Sequence, residues 1–118
     1  HWSLLRGQGP VFREIKNPDG SLSYSNHLRV HLQNQTRQAV HRRIQVFAQG
    51  RPLDISSAEN PFVASVDEMK TVHFFVIFPS SLLGADGKLP IEVRLIDEAN
   101  PRNFKSQNYQ LVGPSHGP

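Results

Sequence analysis

"NHLRVHLQNQTRQAVHRR", residues 26–43, carries three histidines and four arginines in eighteen residues. Its first half alternates: Leu28, Val30 and Leu32 fall on one side, His27, Arg29 and His31 on the other. A period of two, with every second residue apolar, is the pattern of a β-strand with one face on a core and one in water. The second half resumes the pattern, with Val40, Ile44, Val46 and Ala48 set against His41, Arg43 and Gln45. No window shows sustained apolar spacing at i, i+3 and i+4, so almost no helix is expected.

Outside this segment, prolines and glycines cut the chain at short intervals, at Gly9–Pro10, Pro18–Gly20, Gly50–Pro52, Pro61, Pro79, Gly84–Gly87, Pro90, Pro101 and Gly113–Pro114. The runs between them are short and rich in Val, Ile, Leu and Phe. That rhythm predicts an all-β sandwich or barrel. "VFREI" (11–15) reads as a first strand, "PFVASV" (61–66) as another, and "KTVHFFVIF" (70–78), apolar on both faces, as a central one. "PIEVRLI" (90–96) alternates, "SQNYQLVG" (106–113) closes the fold, and "PSSLLGADG" (79–87) has room for one helical turn.

The 118 residues make one domain by size and can bury a core without covalent staples. There is no cysteine, which excludes disulfides, thiolate metal sites, iron–sulfur ligation and a cysteine nucleophile within this chain. No apolar run approaches the length that spans a bilayer. The opening "HWSLLRGQGP" lacks the order of a signal peptide and reads as a cut from something longer. Residues 1–10 are expected to be a linker from a preceding segment, 11–113 the sandwich, and 114–118 a tail. Charge is uneven: residues 1–51 hold eight Lys/Arg and two Asp/Glu, residues 52–118 five and eight. In a sandwich, such a split predicts basic and acidic strands lying side by side.

The basic segment invites three functional readings. Along a strand His27 and His31 stand about 13 Å apart, too far to share a metal whose ligands lie about 2 Å from it. His31 could meet His41 only if residues 35–37 formed a tight hairpin, and "QNQTRQA" has neither Gly nor Asp for one. A metal-delivery domain using His27, His31, His41 and His73 is therefore not expected. Nucleic-acid binding through Arg29, Arg37, Arg42 and Arg43 lacks exposed aromatic platforms, because Phe74, Phe75 and Phe78 read as core and only Tyr24 lies near. The remaining reading is a solvated outer face of two strands. Asp67–Glu68 and Asp97–Glu98 are adjacent pairs pointing to opposite faces, turn residues rather than an acid–base dyad. Ser56–Ser57 and Ser80–Ser81 lack a nucleophile elbow. "NQT" (34–36) matches a glycosylation sequon. No catalytic site is predicted.

"GPVFREIKNPDGSLSYSNHLRVHLQNQT", "RRIQVFAQG" and "PIEVRLIDEAN" together resemble the C-terminal immunoglobulin-like domain of the FixG family, cytochrome c oxidase accessory proteins. The resemblance runs from about Arg6 to Val112. It rests on Phe12–Arg13, the Asp19–Gly20 turn, the Asn34-x-Thr36 strand end, and the strand Ile44, Val46, Ala48 closing on Gly50. The longer "NPDG" turn and the histidine-rich strand surface depart from the family pattern. The resemblance implies an immunoglobulin-like Greek-key sandwich of about seven antiparallel strands. It also implies a parent protein with membrane helices and ferredoxin-type iron–sulfur clusters elsewhere in its chain. That protein serves assembly of a haem–copper oxidase through copper handling, with this domain on the periplasmic side of the bacterial inner membrane. On that footing the domain is a non-enzymatic accessory module without its own cofactor. Its expected partners are oxidase-assembly proteins or its own membrane portion. Arg42, Arg43 and Phe47 are the residues expected to form a partner surface, Phe47 because it is apolar on the polar side of its strand. Trp2 would serve as an interfacial aromatic next to the bilayer or cover the sandwich edge. The alternative from another class is a secreted carbohydrate-binding or adhesion-type sandwich, which needs solvent-facing aromatics.

Overall fold

The computed structural model describes residues 1–115. Ten strands run in the order β1 (Trp2–Arg6), β2 (Arg13–Lys16), β3 (Leu22–Gln33), β4 (Val40–Ala48), β5 (Arg51–Pro52), β6 (Asp54–Ser56), β7 (Phe62–Ala64), β8 (Met69–Pro79), β9 (Lys88–Asp97) and β10 (Phe104–Val112). A single 3₁₀ turn, Ser80–Leu82, sits where one helical turn was expected. The count exceeds seven because β1, at residues expected to be a linker, and the short β5 and β6, of two and three residues, add to the strands the alternation predicts.

Two antiparallel five-stranded sheets form. The first has the order β1-β3-β8-β6, with β2 following β1 along the same edge of β3. The second has the order β10-β9-β4-β5, with β7 beside β5 on the outer edge of β4. The chain changes sheet between β3 and β4, so the two halves of the histidine-arginine segment lie in different layers. Gln49 and Gly50 both take positive φ, 53° and 76°. This is the two-residue hairpin geometry whose twist suits β4 and β5.

The core is what the alternation predicts. Leu28, Val30 and Leu32 of β3 face Ile44, Val46 and Ala48 of β4, with Val72, Phe74, Val76 and Phe78 of β8 and Leu89, Ile91, Val93 and Leu95 of β9, all buried. Burial of each such side chain contributes roughly 1.5–3 kcal/mol. β8 is central in its sheet, but it is not apolar-buried on both faces: Phe75 is 39% exposed and points outward.

Residues 1–10 are not a linker. Trp2–Arg6 pairs in register with Leu28–Leu32, and Trp2 is buried in the core. The signal was present in "WSLLR", but five residues before a Gly-Pro break are too few to show a period. Of the tail expected over 114–118, residues 116–118 lie outside the described residues.

Three asparagines tie the layers together. Asn26, inward-facing on β3, donates to the Val112 carbonyl and accepts from the Val112 N–H, both at 2.8 Å. Asn60 makes the same reciprocal pair with the backbone of Ile44, at 2.8 and 3.1 Å. Asn34 closes the passage from β3 to β4: its amide donates to the carbonyls of Gln38, Ala64 and Ser65, and its Oδ1 accepts from the N–H and hydroxyl of Thr36. Each amide replaces strand pairing where the backbone would otherwise be buried without a partner.

Candidate functional site

Because Ile44, Val46 and Ala48 face the core, Arg43 and Phe47 stand on the outer face of the second sheet. Arg43 meets Glu98 side-on, with Nη2 to Oε1 at 2.8 Å and Nε to Oε2 at 3.3 Å. Arg42 lies opposite Asp97 in register, with Nη1 to Oδ1 at 3.5 Å. Phe47 is not a bare apolar residue. The Arg94 guanidinium carbon sits 4.4 Å from the Phe47 ring centre and 4.5 Å from that of Phe104. Arg94 is thus held between two rings, and its Nε donates to Glu92 at 3.0 Å. A guanidinium over an aromatic face is attracted by the ring quadrupole. It also covers ring surface that water would otherwise meet.

These contacts explain the uneven charge. Arg42 and Arg43, from the basic half, pair with Asp97 and Glu98, from the acidic half, across β4 and the end of β9. The expected side-by-side neutralisation holds at this place, while Lys70 with Glu59 and Arg94 with Glu92 pair within residues 52–118. Asp97 also accepts from the Ala99 N–H, and Glu68 from the Ser65 N–H, so both acidic pairs act at turns as predicted.

The arrangement can present a surface of rings and balanced ion pairs to another protein. Beside it, Arg42 and Asp97 line a cleft of about 310 Å³ between the sheet edges, with Trp2, Asn34, Phe104 and Lys105. The Gln107 amide joins the two sheets by donating to the Trp2 carbonyl at 3.0 Å.

The histidines separate. His31 and His41 occupy different sheets, and His31 Nδ1 is 2.8 Å from the Thr71 hydroxyl. His27 and His73, unconnected in the sequence, come together on the outer face of the first sheet, with His27 Nε2 2.9 Å from His73 Nδ1. Sequence reasoning missed this pair because it depends on the register of β3 on β8, in which His27 faces Phe75 and Arg29 faces His73. Among the described residues no group of three or more His, Cys, Asp or Glu is placed to hold a metal ion.

Other candidates resolve into structure. Asn34 of the sequon is 2% exposed and fully engaged. Ser57 spends its hydroxyl on the His73 carbonyl. Tyr24 is buried against Phe12 and Phe78, and Trp2 is in the core, so neither offers a stacking platform or reaches a bilayer interface. Among the described residues, two ionisable groups depart clearly from their ordinary values. Hydrogen bonds from the Ser21 hydroxyl and N–H hold the Asp19 carboxyl low, and a hydrogen bond to Glu59 raises Lys70.

Among solved structures the fold is similar to a FixG-related protein from Vibrio parahaemolyticus, at 15% identity, with a TM-score of 0.61 over 95% of this chain and 94% of that one. A protein from Archaeoglobus fulgidus aligns at 8% identity with a TM-score of 0.46 over 97% and 96% of the two chains. No curated protein matches. A family model described as "IG-like fold at C-terminal of FixG, putative oxidoreductase" matches residues 1–114. With nearly its whole length matched, and two packed antiparallel sheets beneath that match, the chain belongs to the family of C-terminal immunoglobulin-like domains of FixG.

Proposed function

We propose that this chain is a non-catalytic accessory domain of a membrane-bound iron–sulfur protein of the FixG type. In this reading it serves cytochrome oxidase assembly and copper handling by contacting an assembly protein or the membrane portion of its own chain. It works on the periplasmic side of the inner membrane and carries no cofactor of the parent protein's redox chemistry. The observation that supports this best is the family match over residues 1–114. The outer face around Arg43, Phe47 and Arg94 is the proposed contact surface, since its partly exposed ion pairs and ring stacking form an ordered, nearly neutral patch of the kind proteins recognise.

The test is deletion of this domain from the native gene. Loss of assembled oxidase, with the iron–sulfur spectrum of the remaining protein intact, is the expected result. Unchanged oxidase levels would overturn the accessory role. The sequence encoded upstream of His1 gives an independent check: apolar segments of about 20 residues with cysteine clusters support the reading, and a plain signal peptide contradicts it.

A further inference from the structure

The pairing of His27 and His73 is unused by the proposed function and does not depend on it. His27 is fixed on three sides. Its Nδ1 lies 2.9 Å from the Gln8 carbonyl, an oxygen that can only accept, so Nδ1 carries the proton and the Nε2 lone pair accepts from His73 Nδ1–H, 2.9 Å away. Its ring stacks on Phe75, with centres 4.6 Å apart and planes 19° from parallel. Its third side abuts Gly7, where an added Cβ would come within 2.3 Å of the ring. A backbone carbonyl orienting one ring nitrogen while the other points at a second donor nitrogen is an arrangement that metal-ligating histidines use.

His73 supplies the second nitrogen. The two ring centres are 5.1 Å apart. Two imidazoles on one tetrahedral zinc ion, with Zn–N near 2.0–2.1 Å, have centres about 5 Å apart and nitrogens about 3.3 Å apart. In the metal-free protein the two rings meet nearly head-on, so a cation enters when the exposed His73 ring swings off that line and moves its proton to Nε2, leaving the His73 Nδ1 and His27 Nε2 lone pairs to converge on the ion. We propose that His27 Nε2 and His73 Nδ1 form a two-imidazole site for an exchangeable divalent transition cation of the zinc type, with its remaining positions open to water or to a donor from a second protein. Imidazole nitrogen suits such ions, whereas magnesium and calcium prefer oxygen. Arg29, opposite His73 in register, places a positive charge beside the site and sets its affinity low.

The test is titration of the 118-residue chain with zinc chloride by calorimetry in a non-chelating buffer, with imidazole nitrogen NMR alongside. One saturable site is expected, with the His27 and His73 resonances moving first. His27→Gln and His73→Gln should each weaken binding at least tenfold, His31→Gln and His41→Gln should leave it unchanged, and Arg29→Gln should tighten it. His73 is exposed, so His73→Gln decides the matter if His27→Gln disturbs folding. Absence of saturable binding, or binding that His73→Gln leaves intact, would overturn the site.

Discussion

The side-chain amide of Asn26 and the backbone of Val112, 86 residues apart, are paired edge to edge by two hydrogen bonds across the two layers of the sandwich. Asn26 is 3% exposed and surrounded by the apolar inner face, so its amide is held there by Val112 alone. It fastens the end of the last strand to the middle of the third.

Replacing Asn26 by Ala leaves the Val112 N–H and C=O without these partners in a partly buried place. Each orphaned group costs about 1–3 kcal/mol. Urea denaturation of Asn26→Ala is therefore expected to show a loss of roughly 2–4 kcal/mol. Asn26→Asp should not rescue it, because the second carboxylate oxygen would face the Val112 carbonyl. A loss under about 0.5 kcal/mol would show that the bridge contributes little beyond what water can replace.

Gly7→Ala drives a methyl group into the His27 imidazole, which cannot retreat because Phe75 and Gln8 confine it. Overpacking of this kind costs roughly 1–3 kcal/mol. The specific expectation is that histidine NMR signals of His27 and His73 shift together while His31 and His41 stay put. A stability change without that joint shift would mean the ring had found another rotamer.

The ion pair of Arg43 and Glu98 changes how a partner surface must be probed. Both side chains are partly exposed, at 42% and 29%, so the pair contributes at most about 1 kcal/mol and less in high salt. Arg43→Glu sets two carboxylates against each other and should lower thermal stability slightly. The swap Arg43→Glu with Glu98→Arg should restore stability. Partner capture lost in the swap as well as in the single variant would assign Arg43 to the contact surface. Capture recovered in the swap would assign it to the fold.

Asp19 offers a pH reading. Its carboxylate is held by the Ser21 hydroxyl at 2.6 Å and the Ser21 N–H at 2.9 Å, so its folded pKa lies below the ordinary aspartate value. A depressed carboxyl stabilises the folded state above its unfolded pKa, and that stabilisation is lost as pH falls through the folded pKa. NMR titration should show Asp19 protonating at lower pH than in an unfolded peptide, and Ser21→Ala should bring it most of the way back. An unshifted Asp19 in the parent protein would show that these two bonds do not persist in solution.

Most of the sandwich was legible in the sequence because burial on one face imposes a period of two. Leu28-Val30-Leu32 and Ile91-Val93-Leu95 are read as core and are core. The short strands were less visible: Asp54–Ser56 is held by pairing with β8, not by any pattern of its own. Phe75 misled because aromatic residues in an apolar run read as interior, whereas here alternation alone turns it outward. The candidate site was legible only in part. Phe47 stood out as apolar on a polar face, but its reason, Arg94 stacked between it and Phe104, depends on which strands become neighbours. The pairing of His27 with His73 depends on register, which no local pattern in either strand records.

The entry of the chain into the fold has a mechanical consequence. β1 begins at Trp2, and even the His1 carbonyl is already held by the Gln33 N–H at 3.0 Å. Residues 1–6 therefore have no play of their own against the sandwich. A turn or tilt imposed on this strand passes directly into a body 53 Å long, which moves with it as a stiff lever.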